Sequence, residues 1–276
     1  MKLLITQDLV KIMASYGDAD RTLPNGNPLR NRLLLALPDD IYRAVAKDIR
    51  VIDVKVGEAL QEHDVLVRDV YFPNGGVYSI TNQMRDGRLV EVATVGSEGM
   101  LGVAVFLGDR LGTGTSMLQV PDGGLLTMAV DAFIGHTSSP GPFRDIAGRF
   151  AQANLLQVMQ STACNALHNV EERCCRWLLQ THDRVGQDEF VLKHEFLAVM
   201  LGVSRPSVTL VLGTLQKAGL LSNHYGRIRV LDRENLEAAS CECYEAIAGH
   251  FDRLGITVGP TQTGKRRLSA TPANGD

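Results

Sequence analysis

The chain has 276 residues, 45% of them hydrophobic, with 28 Lys+Arg against 31 Asp+Glu for a formal net charge of −3. That length holds two domains with separate cores, while no apolar run approaches the roughly 18 residues of a membrane span. The opening MKLLITQDLVKIM meets Asp8 and Lys11 too early for a secretory signal, so a cytoplasmic protein without membrane attachment is expected.

Residues 1–27 read as an N-terminal extension, a short amphipathic piece followed by a Pro/Asn/Gly linker. Residues 28–141 read as a β-rich domain. A helical lead-in from Asn31 to Lys47, carried by Leu33, Leu34, Leu37 and Ile41, precedes an alternating strand over Ile49–Val56. Turn signals recur at Gly57-Glu58, Pro73–Gly76, Arg85–Arg88, Gly96–Gly99 and Asp122–Gly124. Between them lie Val77–Met84, Leu89–Val95, Ser116–Val120 and Leu125–Val130. Short strands at this even spacing indicate an antiparallel, jelly-roll-like β-roll.

Residues 142–168 change period. Phe143, Ile146, Phe150, Leu156, Met159, Ala163 and Ala166 recur at helical spacing for about seven turns. A helix so long, with Ala151, Ala153 and Ala163 on it, is expected to bury its stripe against a second copy rather than its own chain. Asn169 with Glu172 then forms a fresh N-cap and capping box, which marks a hinge.

Residues 169–255 carry the most specific pattern. Phe196, Leu197, Met200 and Leu201 give one short helix an apolar stripe, and Gly202 supplies a sharp turn plugged by Val203. Ser204 is an N-cap and Pro206 stands in the first turn of a second helix, whose inner face is Val208, Val211, Leu212 and Leu215 and whose end is Gly219. Leu220, Leu221, Ile228 and Val230 flank a turn at Tyr225-Gly226 as a wing. The fold class is therefore α+β: β-roll, long dimerisation helix, C-terminal winged helix-turn-helix. Such a unit places its second helix in the major groove of double-stranded DNA. The outer face offers Ser204, Arg205, Pro206, Ser207, Thr209 and Leu210. Arg205 at the tip suits guanine, and Leu210 suits either a thymine methyl or packing against the wing. Lys217, Arg227 and Arg229 suit phosphates. Residues 28–141 carry 10 Lys+Arg against 14 Asp+Glu, and 169–233 carry 9 against 7. DNA affinity is thus expected from local placement and dimerisation rather than bulk charge. Residues 256–276, with Lys265-Arg266-Arg267, read as a disordered tail.

This order of elements resembles the Crp/Fnr family of bacterial transcription regulators over roughly residues 28–235, most specifically at Leu201-Gly-Val-Ser-Arg-Pro-Ser-Val208, Gly57-Glu58 and Gly87–Gly99. The resemblance implies a homodimer on a pseudo-palindromic site, RNA polymerase as protein partner, and a roll that senses a small molecule. An effector pocket is then expected near Glu98, Gly99, Thr113, Thr115 and Ser116. Family members that bind cyclic AMP hold its phosphate with an arginine about ten residues after a Gly-Glu pair. Here that stretch is Leu111-Gly-Thr-Gly-Thr-Ser116, with only Arg110 nearby, so cyclic AMP is not expected and the effector stays open. Pro206 also replaces the glutamate of the cyclic-AMP-responsive recognition helix.

Cys164, Cys174, Cys175, Cys241 and Cys243 all lie in the C-terminal half, which rules out transfer of the family's N-terminal iron–sulfur cluster. Buried packing is the first reading of these thiols. A redox- or metal-responsive regulator is the alternative, since Cys164 and His168 stand at i, i+4 and Cys241-Glu-Cys243 is compact. A further alternative is a sensor whose helix-turn-helix serves protein contacts. His63, His136 and His168 otherwise read as ordinary histidines. No dinucleotide, P-loop, nucleophile-elbow or His-Glu-x-x-His motif appears, so neither enzyme activity nor a resident cofactor is expected.

Overall fold

The computed structural model describes residues 21–256 and residue 258. Most of the expected N-terminal extension and nearly all of the expected tail lie outside the described residues. The expected lead-in helix is two helices, α1 (Arg32–Leu35) and α2 (Asp39–Val45). Asn31 caps α1 by accepting from the Leu34 N–H, and Pro38 breaks the run because it disfavours helical backbone at the residue before it.

Seven strands follow: β1 (Arg50–Ile52), β2 (Ala59–Gln61), β3 (Asp69–Pro73), β4 (Val77–Gln83), β5 (Leu89–Val95), β6 (Thr115–Val120) and β7 (Leu125–Ala129). They form two antiparallel sheets, ordered β1-β7-β3 and β2-β6-β4-β5. The strand expected over Ile49–Val56 keeps only three residues. The short helices α3 (Val103–Leu107) and α4 (Val130–Thr137) are additions that no sequence period announced.

The long helix α5 spans Pro142–Leu167. Phe143 meets Phe133 edge-on at 5.6 Å and Phe72 at 6.1 Å, so α5 closes the roll's core. Gly99 lets it approach: a Cβ there would lie 2.2 Å from the Phe150 ring. The helix thus buries Phe143, Ile146, Ala147, Phe150, Ala153, Gln157, Ser161 and Cys164 against its own chain, contrary to the expectation of a stripe reserved for a partner. Its other face leaves Leu155 and Met159 exposed, with Ala163 and Ala166 in line.

His168 adopts extended backbone and ends α5, and α6 (Val170–Val185) starts from Asn169 with the expected capping box. Then come β8 (Glu189–Val191), α7 (His194–Leu201), α8 (Arg205–Lys217), β9 (Leu221–His224) and β10 (Arg227–Val230). The wing is a three-stranded sheet, β8-β10-β9, one strand more than the hairpin pattern shows. Trp177, Leu178, Leu197, Leu201, Val208, Leu212, Leu215 and Ile228 form its core, which continues into the roll through Val77 and Val120. After α9 (Arg233–Ala238), α10 (Cys243–Arg253) returns to α5, and its Ile247 and Phe251 enter the roll's core.

Candidate nucleic-acid interface and sensor pocket

Helix α8 is presented by local chemistry. Gly202 ends α7 with φ +64°, a left-handed turn that a side chain would strain. The Ser204 hydroxyl then accepts from the Ser207 N–H at 3.3 Å. Val208, Val211, Leu212 and Leu215 face inward. Arg205, Pro206, Thr209, Leu210 and Lys217 are exposed, Ser204 stands at the exposed tip, and Ser207 is half-buried. Leu210 is 72% exposed, so packing against the wing does not account for it. Arg205 pairs with Glu195 of α7 at 3.1 Å. The Thr209 hydroxyl donates to the Arg205 carbonyl at 3.2 Å and lies 3.1 Å from His194 Nδ1.

On the wing, Arg227 and Arg229 both reach Glu189, at 3.3 and 2.7 Å. Hydrogen bonding from Arg229 holds that carboxyl below its usual range. Tyr225 occupies the expected wing turn. It stands fully exposed at the wing tip with φ +50°, next to Gly226 at +76°. Two positive φ values make the two-residue turn that matches strand twist, where Asn, Asp or Gly is usual.

A cavity of about 200 Å³ lies between the roll and α5. Thr113 and Ser116 of the expected pocket line it, with Asn82, Asn154, Ile80 and Val158; Glu98, Gly99 and Thr115 do not. Ser116 Oγ and Asn154 Oδ1 are buried there without hydrogen-bond partners. No arginine or lysine is among the lining residues. Gly112 is a tight turn: its N–H donates to the Val65 carbonyl at 3.0 Å, and a Cβ would lie 2.2 Å from the Glu62 carbonyl oxygen.

Glu98 serves elsewhere. Its carboxylate accepts from the Gly96 N–H at 3.0 Å and pairs with Arg184 of α6 at 2.9 Å, both side chains essentially unexposed. Earlier on β5, Glu91 accepts from the Trp177 indole at 2.9 Å and from Ser79, and Ser79 also lies 3.0 Å from Met200 Sδ. Burial raises the Glu91 carboxyl to about 7, against the opposing pull of Ser79, Arg176, Trp177 and Arg184.

The cysteines divide. Cys174 and Cys175 pack in the core beside Trp177, and burial pushes both thiols up, Cys175 to about 12. Cys164, Cys241 and Cys243 form a separate buried cluster that also receives His168. Cys164 and Cys241 sulfurs stand 3.5 Å apart, and Cys243 Sγ lies 3.6 Å from His168 Nδ1. His168 thus stands with the three thiols, as its i, i+4 spacing from Cys164 allowed.

Residues 172–239 match the Crp-like helix-turn-helix domain. No curated protein matches the chain by sequence. Solved structures share its fold. A transcriptional regulator of the Crp/Fnr family from Eubacterium rectale aligns at 18% identity and TM-score 0.58, covering 74% of this chain and 94% of that one. A CRP-family regulator from Thermus thermophilus aligns at 19% and 0.57, covering 68% and 95%. The c-di-GMP-responsive global regulator CLP of Xanthomonas campestris aligns at 18% and 0.57, covering 70% and 99%. The chain thus carries a Crp-like helix-turn-helix domain on the β-roll-plus-helix-turn-helix architecture of the Crp/Fnr regulators.

Proposed function

We propose that this protein is a cytoplasmic, non-catalytic transcription regulator that binds a pseudo-palindromic DNA site as a homodimer and contacts RNA polymerase. The observation that carries the reading is the outer face of α8, which stays exposed while its inner face completes the core. Arg205 and Ser207 read base edges, and Lys217, Arg227 and Arg229 hold phosphates. Two copies meet through Leu155, Met159, Ala163 and Ala166 of α5, which sets half-sites about one helical turn apart. Residues 28–141 act as the sensor domain, 142–168 as the dimerisation helix and 169–255 as the DNA-binding domain.

The cavity supports sensing of a small molecule by the roll. Ser116 and Asn154 offer it unpaired polar atoms, and without a cationic lining residue it suits an uncharged polar ligand better than a cyclic phosphate. Thermal unfolding against cyclic AMP, cyclic GMP and cyclic di-GMP tests this. A ligand at about 100 times its Kd stabilises by roughly 2.7 kcal/mol, and a shift of that order with any of the three would overturn the argument.

Selection from randomised duplexes tests the DNA reading. The expected outcome is a two-fold symmetric consensus, with Arg205→Ala losing preference at one base pair per half-site, worth about 1–3 kcal/mol. Weak, unselective binding that disappears by about 0.2 M salt would instead favour a helix-turn-helix used for protein contacts.

A further inference from the structure

We propose that Cys164, His168, Cys241 and Cys243 form a tetrahedral zinc centre that clasps the C-terminal helix α10 to the end of α5. The four ligand atoms all lie within 4.8 Å of one another. Zinc–sulfur bonds of about 2.3 Å and zinc–nitrogen bonds of about 2.0–2.1 Å require tetrahedral edges of about 3.8 Å between sulfurs and about 3.6 Å from sulfur to nitrogen. The 3.5 Å between Cys164 and Cys241 and the 3.6 Å between Cys243 and His168 Nδ1 are already close to those edges.

The surroundings separate this cluster from ordinary thiol packing. Cys174 and Cys175 lie among Trp177, Leu178 and Leu179, as small apolar residues should. The other three lie together, apart from the two larger apolar cores of the described residues. His168 turns Nδ1 to the thiols while its Nε2 stands 3.1 Å from the Glu242 carboxylate. That contact favours a proton on Nε2 and leaves the Nδ1 lone pair for a metal, the usual outer-shell arrangement of a ligating histidine. The Gln160 side-chain amide donates to Cys243 Sγ at 3.1 Å and would offset thiolate charge.

The donor set selects the ion. Three soft thiolates and an imidazole suit zinc and exclude magnesium and calcium, which take oxygen ligands. Four protein ligands complete a tetrahedron, and the three cysteines are buried, so the site is structural and leaves no position for a reacting water. It also bridges elements that sequence separates. Cys164 and His168 come from the last turn of α5 and its end, and Cys241 and Cys243 from the turn before α10 and its first residue. The tie therefore spans the hinge at His168-Asn169, whichever role the helix-turn-helix serves.

Metal content of the full chain, purified with a non-thiol reductant, is the test. About one zinc per chain is expected, falling below roughly a tenth in Cys164→Ser and in Cys241→Ser and unchanged in Cys175→Ala. Because a serine variant can misfold, cobalt(II) titration of the chelator-treated wild type gives a second reading. It should produce the intense visible bands of tetrahedral cobalt and a sulfur-to-cobalt charge-transfer band. A chain that purifies without stoichiometric zinc and gives no such spectrum would overturn the proposal. So would zinc that persists at full occupancy in both serine variants.

Discussion

Glu98 is an unexposed carboxylate that accepts from the Gly96 N–H of its own turn and pairs with Arg184 of α6. The family resemblance places an effector pocket beside the Gly96–Gly99 turn. The Glu98 carboxylate instead meets Arg184, 86 residues away, and no local period points across that distance. Both side chains are buried, so the pair matters more for what its loss leaves behind than for its own net gain. Arg184→Met should destabilise the chain by about 3 kcal/mol, because it strands Glu98 in the interior without its ion-pair partner. Adding Glu98→Leu should recover much of that loss. Denaturant unfolding of the two single variants and the double checks the coupling, and additive losses would refute it.

Among elements, α6 and α8 were legible because their causes are local. The Asn169–Glu172 capping box and the Ser204 cap are both formed, and Gly202 and Gly219 take the left-handed backbone that stops a helix. What periodicity could not assign was which face of α5 meets which partner. Both faces carry apolar residues: one packs on the roll, and the other shows Leu155 and Met159 one turn apart. Burying each in a dimer is worth about 1.5–3 kcal/mol per side chain. Leu155→Glu with Met159→Glu should therefore weaken self-association by more than about 100-fold while leaving secondary structure intact. Sedimentation equilibrium and circular dichroism read the two effects separately, and an unchanged dimer would place the interface elsewhere. The wing was only partly legible, since β8 has three residues and joins through pairing with β10, not through a pattern of its own.

Across the whole molecule, the roll and the helix-turn-helix share a core through β4, β5, α6 and α7. Glu91 lies inside that seam, facing Ser79, Trp177, Arg176 and Arg184. Its carboxyl titrates near 7 when folded against 4.5 when free, so the folded chain holds the extra proton between these values. Stability from this group is full below about pH 4.5 and falls as pH rises toward 7, by about 3 kcal/mol if the seam stays dry. The thermal midpoint should drop between about pH 5 and 8, and Glu91→Gln, which keeps the shape without the charge, should flatten that fall. A Gln variant with the wild-type slope would show that another group controls it. The same seam packs the roll against the helix-turn-helix, with β5 against α7 and β4 against α6.

The sequence by itself determined the order of strands, long helix and helix-turn-helix, the length of α5, the turn and caps of the helix-turn-helix, and the side of α8 that faces outward. These depend on hydrophobic period and on hydrogen bonds within three or four residues, which a linear chain displays. Tertiary structure alone decided that Glu98 pairs with Arg184, that Asn154 joins Thr113 and Ser116 around the cavity, and that three of the five cysteines converge on His168. Each of those outcomes depends on side chains from separate elements meeting after the core has closed. Cys164 and Cys241, 77 residues apart, come within 3.5 Å because α10 folds back onto α5 to bury Ile247 and Phe251.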